Sequence, residues 1–163
     1  MMTAIDGDPK TVEHQSETFY LERALSPFSV SISNIEVTLS TLAELSARNL
    51  FDYSVIMLCN VRNLPFGYEQ ELEKFVLRGG ALFVTLGDQV DAKFYNEKLG
   101  NILPVYLKTV HQIARDEKPF RFFLGPSKHR VLKVFKGKTF EEMKSIFTNN
   151  PSCREYYIDY IYL

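Results

Sequence analysis

An α/β fold built on a mostly parallel sheet is what this sequence predicts, and three observations between Asp52 and Asp91 predict it. Tyr53 to Val61 is an apolar run in which Val55, Ile56, Met57 and Leu58 are unbroken by charge. An amphipathic segment follows, with Leu72, Phe75 and Val76 on one face at i, i+3, i+4 spacing, and the pair Gly79-Gly80 stops it. A second apolar run, Ala81 to Leu86, then closes on Gly87-Asp88. Strand, helix and strand within about 35 residues make a parallel crossover unit. Continuous apolar runs, rather than alternating ones, predict a sheet covered on both faces.

The other elements follow in order. Met1 to Ile5 reads as a first strand ending in the turn formers Asp6-Gly7-Asp8-Pro9. Ser16 is a candidate N-cap for a helix of about ten residues with Phe19, Leu21, Ala24, Leu25 and Phe28 on its apolar side, limited by Pro27. Asn34 to Ser40 alternates through Ile35, Val37 and Leu39 as a second strand. Thr41-x-x-Glu44 is a capping box that opens a short helix through Leu42 and Leu45. The crossover unit supplies strands three and four, with Leu64-Pro65 where a helix tends to begin. Phe94, Tyr95 and Leu99 suit a short helix, and Asn101 to Pro104 a turn. Beyond Val105 the pattern is coarser: a short apolar run from Phe120 to Leu124, a second capping box at Thr139-x-x-Glu142, and a last strand from Tyr156 to Leu163 rich in aromatic and β-branched residues.

Composition excludes more than it assigns. The 163 residues suit one domain, spanning 1–163, with a proper core. A formal net charge of −1 gives no electrostatic grip on nucleic acid or anionic lipid. The loose basic cluster of Lys128, Arg130, Lys133, Lys136 and Lys138 reads as a solvated face. Cys59 and Cys153 form no Cys-x-x-Cys and no metal-ligand spacing, so no metal or cofactor site is expected. No apolar run reaches the roughly 18 residues of a membrane span, so this piece is not expected to insert directly into a bilayer. Its ends, Met1-Met2-Thr3 running straight into a strand and Tyr162-Leu163 stopping within one, read as cut from a longer protein.

Ligands of open α/β sheets bind beyond the carboxyl ends of the strands. Those ends carry Asp6 and Asp8 after strand one, Cys59 and Asn60 after strand three, and Gly87 and Asp88 after strand four. If strands one, three and four are neighbours, Asp6, Asp8, Asn60 and Asp88 converge on one edge as the candidate ligand-binding residues. Several aspartates without a nearby Arg or Lys would favour a cation or a polar neutral ligand over a phosphate. One catalytic alternative makes Asp6 and Asp8 a Mg²⁺-dependent phosphotransfer pair with Thr85, in the manner of haloacid-dehalogenase-type phosphatases. Pro9 after the second aspartate and the spacing of Gly87-Asp88-x-x-Asp91 depart from that pattern. Acyl transfer at the turn after strand four fails on its nucleophile, since Leu86-Gly87-Asp88-Gln89 offers neither thiol nor hydroxyl. His14, His111 and His129 are isolated and belong to no catalytic pair.

Several short motifs, spread over most of the chain, carry a resemblance. Asp6-Gly7-Asp8-Pro9, Ser16 to Leu21, Leu58-Cys59-Asn60-Val61, Phe75-Val76-x-x-Gly79-Gly80, Leu86-Gly87-Asp88, Tyr95-Asn96, Leu103-Pro104 and His129-x-Val131-Leu132 resemble the class I glutamine-amidotransferase-like domain of bacterial membrane proteins related to the Bat-type aerotolerance regulators. The resemblance implies a flavodoxin-like, three-layer α/β/α sandwich inside a longer, membrane-anchored chain, with a sheet that continues past Leu163. Class I amidotransferases place a cysteine at the elbow and a His-x-Glu pair near the end, and this chain has neither. The expectation is therefore a non-catalytic interaction or ligand-sensing module with protein partners, since function belongs to the site and not the fold.

Overall fold

The computed structural model describes residues 1–26, 35–112 and 156–162. Strands β1 (Met2–Asp6), β2 (Val37–Thr41), β3 (Val55–Cys59) and β4 (Ala81–Thr85) form one sheet in the order β2-β1-β3-β4, every pair parallel. Parallel neighbours need long crossovers, and helices α1 (Phe19–Leu25), α2 (Leu42–Leu45) and α3 (Tyr68–Leu77) lie in the three connections. Helix α4 (Ala92–Lys98) follows β4, and β5 (Val105–Gln112) pairs with β6 (Tyr156–Tyr162) in a separate two-stranded sheet. The α/β class and the parallel sheet are as the sequence predicts. The chain divides into two units, Met1–Val110 with Ile158–Leu163 and His111–Tyr157, and the four-stranded sheet lies wholly in the first. Phe28, the run from Phe120 to Leu124, the box at Thr139, the basic cluster around Lys133, His129 and Cys153 lie outside the described residues.

The two-residue period of the strands sorts the core. Ile5, Ile56 and Leu58 point into one apolar cluster with Leu45 of α2, Leu72 and Phe75 of α3, and Tyr95 and Leu99 at α4. Met2, Ala4, Met57 and Cys59 point into a second, against Leu21 and Leu25 of α1. Burial of Leu72 and Phe75 alone contributes roughly 1.5–3 kcal/mol each, which holds α3 on the sheet. Strand β4 corrects the expectation of a sheet covered on both faces throughout. Its Leu82 and Val84 pack on the first cluster, but Ala81 is exposed and Phe83 stays 55% exposed, as befits an edge strand.

Local chemistry explains the helix ends. The capping box forms as expected: the Thr41 N–H donates to Glu44 Oε2 at 2.8 Å and the Glu44 N–H to Thr41 Oγ1 at 3.4 Å. Helix α3 ends where the glycine pair predicts. Gly79 takes φ 94°, its N–H donates to Val76 O, and the Gly80 N–H reaches back to Phe75 O, the bond pattern of a Schellman cap. A Cβ on Gly80 would lie 2.3 Å from the Phe75 ring, so that glycine is also required by space. Pro65 does not open the helix. It begins a β-turn instead, and α3 starts after Gly67 at φ 86°. Helix α1 is shorter than expected, with Thr18 rather than Ser16 at its start.

Three side-chain hydrogen bonds fix the region after β4. The Tyr95 hydroxyl, fully buried, donates to Val61 O at 2.8 Å, tying α4 to the segment after β3; burial pushes its ionisation far above the usual tyrosine range. The Asn96 amide pairs with the Leu107 backbone in both directions, at 2.6 and 2.9 Å, as a neighbouring strand would. Among the described residues, no helix is long and apolar enough to cross a membrane.

Candidate functional site

Register places the site. Asp6 stands level with Thr41 and with Cys59, and Cys59 with Thr85, so the carboxyl ends of all four strands lie in one row. The chain turns in opposite directions along the sheet from β1 to β2 and from β3 to β4. The crevice between β1 and β3 is therefore the switch point at which open α/β sheets bind ligands. Asn60 lies buried at that crevice.

Asn60 directly follows β3 and is 1% exposed. Its φ of 52° is the left-handed value that asparagine tolerates better than most L-residues; among the described residues, no other non-glycine has positive φ. Its Nδ2 donates to Glu17 Oε1 at 2.9 Å and to Asp88 Oδ1 at 2.8 Å, while its Oδ1 accepts the Gln89 N–H at 2.9 Å. This pattern fixes the amide orientation, because the flipped amide would set its oxygen against two carboxylates. Its own N–H donates to Thr85 O at 3.0 Å. One side chain thus clasps the loop after β1 and the loop after β4.

Both loops have a glycine where they meet it. A Cβ on Gly7 would stand 2.2 Å from the Asn60 carbonyl oxygen, and one on Gly87 would stand 2.4 Å from Asn60 Oδ1. The Gly7 N–H also donates to Cys59 O at 2.8 Å, extending the β1–β3 ladder one step past the strands. Neither glycine owes its place to turn conformation; each leaves room for Asn60.

Asp6 is buried, and both its oxygens are occupied. Oδ2 accepts the Thr18 hydroxyl at 2.9 Å and Oδ1 accepts the Asp8 N–H at 3.0 Å. Thr18 begins α1 in a helical backbone conformation, φ −89° and ψ −13°, without a side-chain cap, and its hydroxyl donates to Asp6 instead. The Ser16 hydroxyl accepts the Lys10 N–H at 3.1 Å and orders the preceding loop. Lys10 Nζ pairs with the Asp8 carboxylate, which corrects the expectation of aspartates without a nearby cation. Asp8 raises the Lys10 ammonium above its ordinary range.

Of the four predicted residues, Asn60 and Asp88 are in direct contact, and Asp6 and Asp8 are joined through a backbone bond. Glu17, Thr18, Lys10 and Gln89 complete the cluster but were not among the sequence candidates. Glu17 and Thr18 come from a polar turn with no periodicity to mark them, and their partners lie 43 and 12 residues away. Among the described residues, no three His, Cys, Asp or Glu side chains are grouped so as to hold one metal ion.

Electrostatics divides the two carboxylates on Asn60. Asp88 is held below the ordinary aspartate range, chiefly by the Asn60 hydrogen bond. Glu17 is exposed along its stem, but its carboxylate end turns in toward Asn60. That desolvation first, and then the like charges of Asp6, Asp88 and Asp8, lift it above the ordinary glutamate range despite the Asn60 bond. The two signs have opposite consequences. Asp88 contributes stability above its unfolded value, lost as pH falls through the depressed folded one. For Glu17 the native state holds its proton more tightly than the unfolded chain, so stability falls as pH rises from the ordinary glutamate value through the raised one. Glu17→Gln keeps an acceptor for Asn60 and removes the charge. The variant is expected to exceed the wild type in urea midpoint at neutral pH, with the gain vanishing once the pH drops below the ordinary glutamate range. A midpoint that falls at neutral pH would refute this account of Glu17.

Cys59 is 1% exposed, and burial raises its thiol despite a hydrogen bond with Thr85. A thiol kept protonated and covered is a poor nucleophile. No protein-family model, no curated protein and no solved structure matches this chain.

Proposed function

We propose that this chain is a glutamine-amidotransferase-like domain of flavodoxin-like, three-layer architecture. In this reading it has no glutaminase chemistry and serves as an interaction or ligand-sensing module of a membrane-anchored bacterial protein. The strand order β2-β1-β3-β4 and apolar clusters on both faces of the sheet support the architecture. The observation that carries the non-catalytic reading is Asn60. The left-handed position after β3 holds a buried amide bonded to three neighbours, and the turn after β4, where an elbow is expected, offers neither thiol nor hydroxyl. The thiol beside it is covered and protonated. Among the described residues, the site presents to solvent the stem of Glu17, the Asp8–Lys10 pair and Asp88 with Gln89, a mixed-charge rim suited to a polar ligand or a protein surface.

The phosphotransfer alternative is less well supported, because its nucleophile Asp6 is buried and is engaged by the Thr18 hydroxyl and the Asp8 N–H. Ammonia release from glutamine and Mg²⁺-dependent phosphate release from a simple aryl phosphate test both chemistries. The expected result is no turnover in either assay. Ammonia release abolished by Cys59→Ala would overturn the non-catalytic reading, and phosphate release abolished by Asp6→Asn would replace it with phosphotransfer.

A further inference from the structure

The two edges of the sheet differ. No residue of β2 is exposed, but at β4 Ala81 is exposed and Phe83 stays 55% exposed beside Met57, its neighbour in register. Among the described elements, only β3 and α3 lie along β4, and no strand pairs with its outer side. Ala81-Leu82-Phe83-Val84-Thr85 has no charge, no proline and an unbroken register without a bulge. Those are the devices that keep edge strands from pairing, and this edge has none of them.

Backbone parity shows what the edge offers. The Ala81 N–H donates to Ser54 O, and Thr85 O accepts the Asn60 N–H, so alternate residues from Ala81 turn their polar backbone toward β3. The N–H and C=O groups of Leu82 and Val84 therefore point out of the sheet edge, where no described strand meets them. A two-fold axis through Phe83 satisfies all of them. In an antiparallel pair about that axis, Leu82 of one copy lies opposite the partner's Val84, and each such pair exchanges two bonds. Phe83 meets its own mate as a non-hydrogen-bonded pair, the kind in which side chains come closest. Ala81 falls opposite the partner's Thr85. Moving the axis to Leu82 would set Val84 opposite Gly80, whose N–H is already given to Phe75 O. Moving it to Val84 would part the two Phe83 rings.

The charges beside β3 and β4 favour the same arrangement. At the amino ends of these strands, Arg48 and Arg78 outweigh Asp52, and Lys74 is paired with Glu71. At the carboxyl ends, Glu17, Asp88 and Asp91 outweigh Arg62, and Lys10 is paired with Asp8. Antiparallel pairing sets the basic end of one copy beside the acidic end of the other.

We propose that two copies pair antiparallel along β4 about a two-fold axis at Phe83, so that their sheets become one. The contact is isologous and closes at the dimer. A five-residue edge with one aromatic pair at its centre is a small interface, so the dimer dissociates on dilution. It stands or falls separately from the function proposed above.

Sedimentation equilibrium of the full chain over a concentration series tests it, with monomer, dimer and nothing larger expected. Phe83→Lys sets like charges opposite each other and is expected to weaken the dimer about tenfold or more. The position is half-exposed, so the variant should stay folded, and a thermal melt checks this. Disulfide trapping with oxidised glutathione reads the register. In a Cys153→Ser background, Phe83→Cys is expected to give a covalent dimer, since the paired Cα atoms would lie about 4.5 Å apart. Ala81→Cys should not cross-link alone, because its mate is offset by roughly 14 Å along the strand. Mixed with Thr85→Cys, it should. A wild-type chain that stays monomeric throughout would overturn the proposal and mean that another segment or partner takes this edge. So would a dimer indifferent to Phe83→Lys, no cross-link through Phe83→Cys, or cross-linking by Ala81→Cys alone.

Discussion

Asn60→Asp is expected to destabilise the domain by about 3–5 kcal/mol at neutral pH, the range for breaking a buried polar network and leaving a charge uncompensated. The change is nearly isosteric, so packing is not the cause. The Nδ2 donor that faces Glu17 and Asp88 becomes an acceptor, and a third carboxylate enters a space already bordered by two. A loss of this size is a large part of a typical domain stability of about 5–15 kcal/mol. Its pH dependence is diagnostic. Protonating the introduced carboxyl removes the charge that has no partner and restores a donor, so acidification is expected to return stability where most proteins lose it. Asn60→Ala removes the three side-chain bonds without adding charge and is expected to cost less, about 1–3 kcal/mol. Asn60→Gly removes them as well but relieves the φ of 52°, and should be about 1 kcal/mol more stable than the alanine variant. Urea unfolding of the three variants at neutral and mildly acidic pH measures every term. If the aspartate variant is no less stable than the alanine variant at neutral pH, Asn60 is not the hub described above.

Much of this was legible in the sequence, and the boundary follows the range of the interaction. The Thr41–Glu44 box and the Gly79-Gly80 stop are made by neighbours in sequence, so the local residues alone specify them. The convergence of Asp6, Asn60 and Asp88 was legible too, because parallel strands in register put their ends in one row. The start of α1 was not: Ser16 and Thr18 are equally good caps by type, and only the folded Asp6 decides what Thr18 does. Nor was the exposure of Phe83, since an apolar run does not reveal whether its strand lies at the centre or the edge. The role of Asn60 was hidden for a related reason. A buried amide is recognisable only by what surrounds it, and Glu17 and Asp88 reach it from loops on either side of the switch point.

Gly7→Ala is expected to cost about 3 kcal/mol or more, at the upper end of overpacking effects, because the new methyl would meet backbone. Its ideal Cβ lies 2.2 Å from the Asn60 oxygen and 2.5 Å from both Asn60 C and Val61 Cα. None of these can turn aside as a side chain would, and moving either strand end breaks the bond from the Gly7 N–H to Cys59 O. Gly87→Ala offers the contrast. Its Cβ would lie 2.4 Å from Asn60 Oδ1, a side-chain atom that three hydrogen bonds hold in place. In an Asn60→Gly background that obstacle is gone, so the cost of Gly87→Ala should largely disappear while the cost of Gly7→Ala persists. Double-mutant cycles by urea unfolding read this directly, since coupling is confined to residues in contact. Strong coupling of Gly87 to the Asn60 side chain, beside weak coupling of Gly7 to it, would locate the closure of the β1–β3 crevice in the backbone and the attachment of the β4 loop in the amide. Equal coupling at both glycines would mean that the Asn60 side chain, not the backbone around it, closes the crevice.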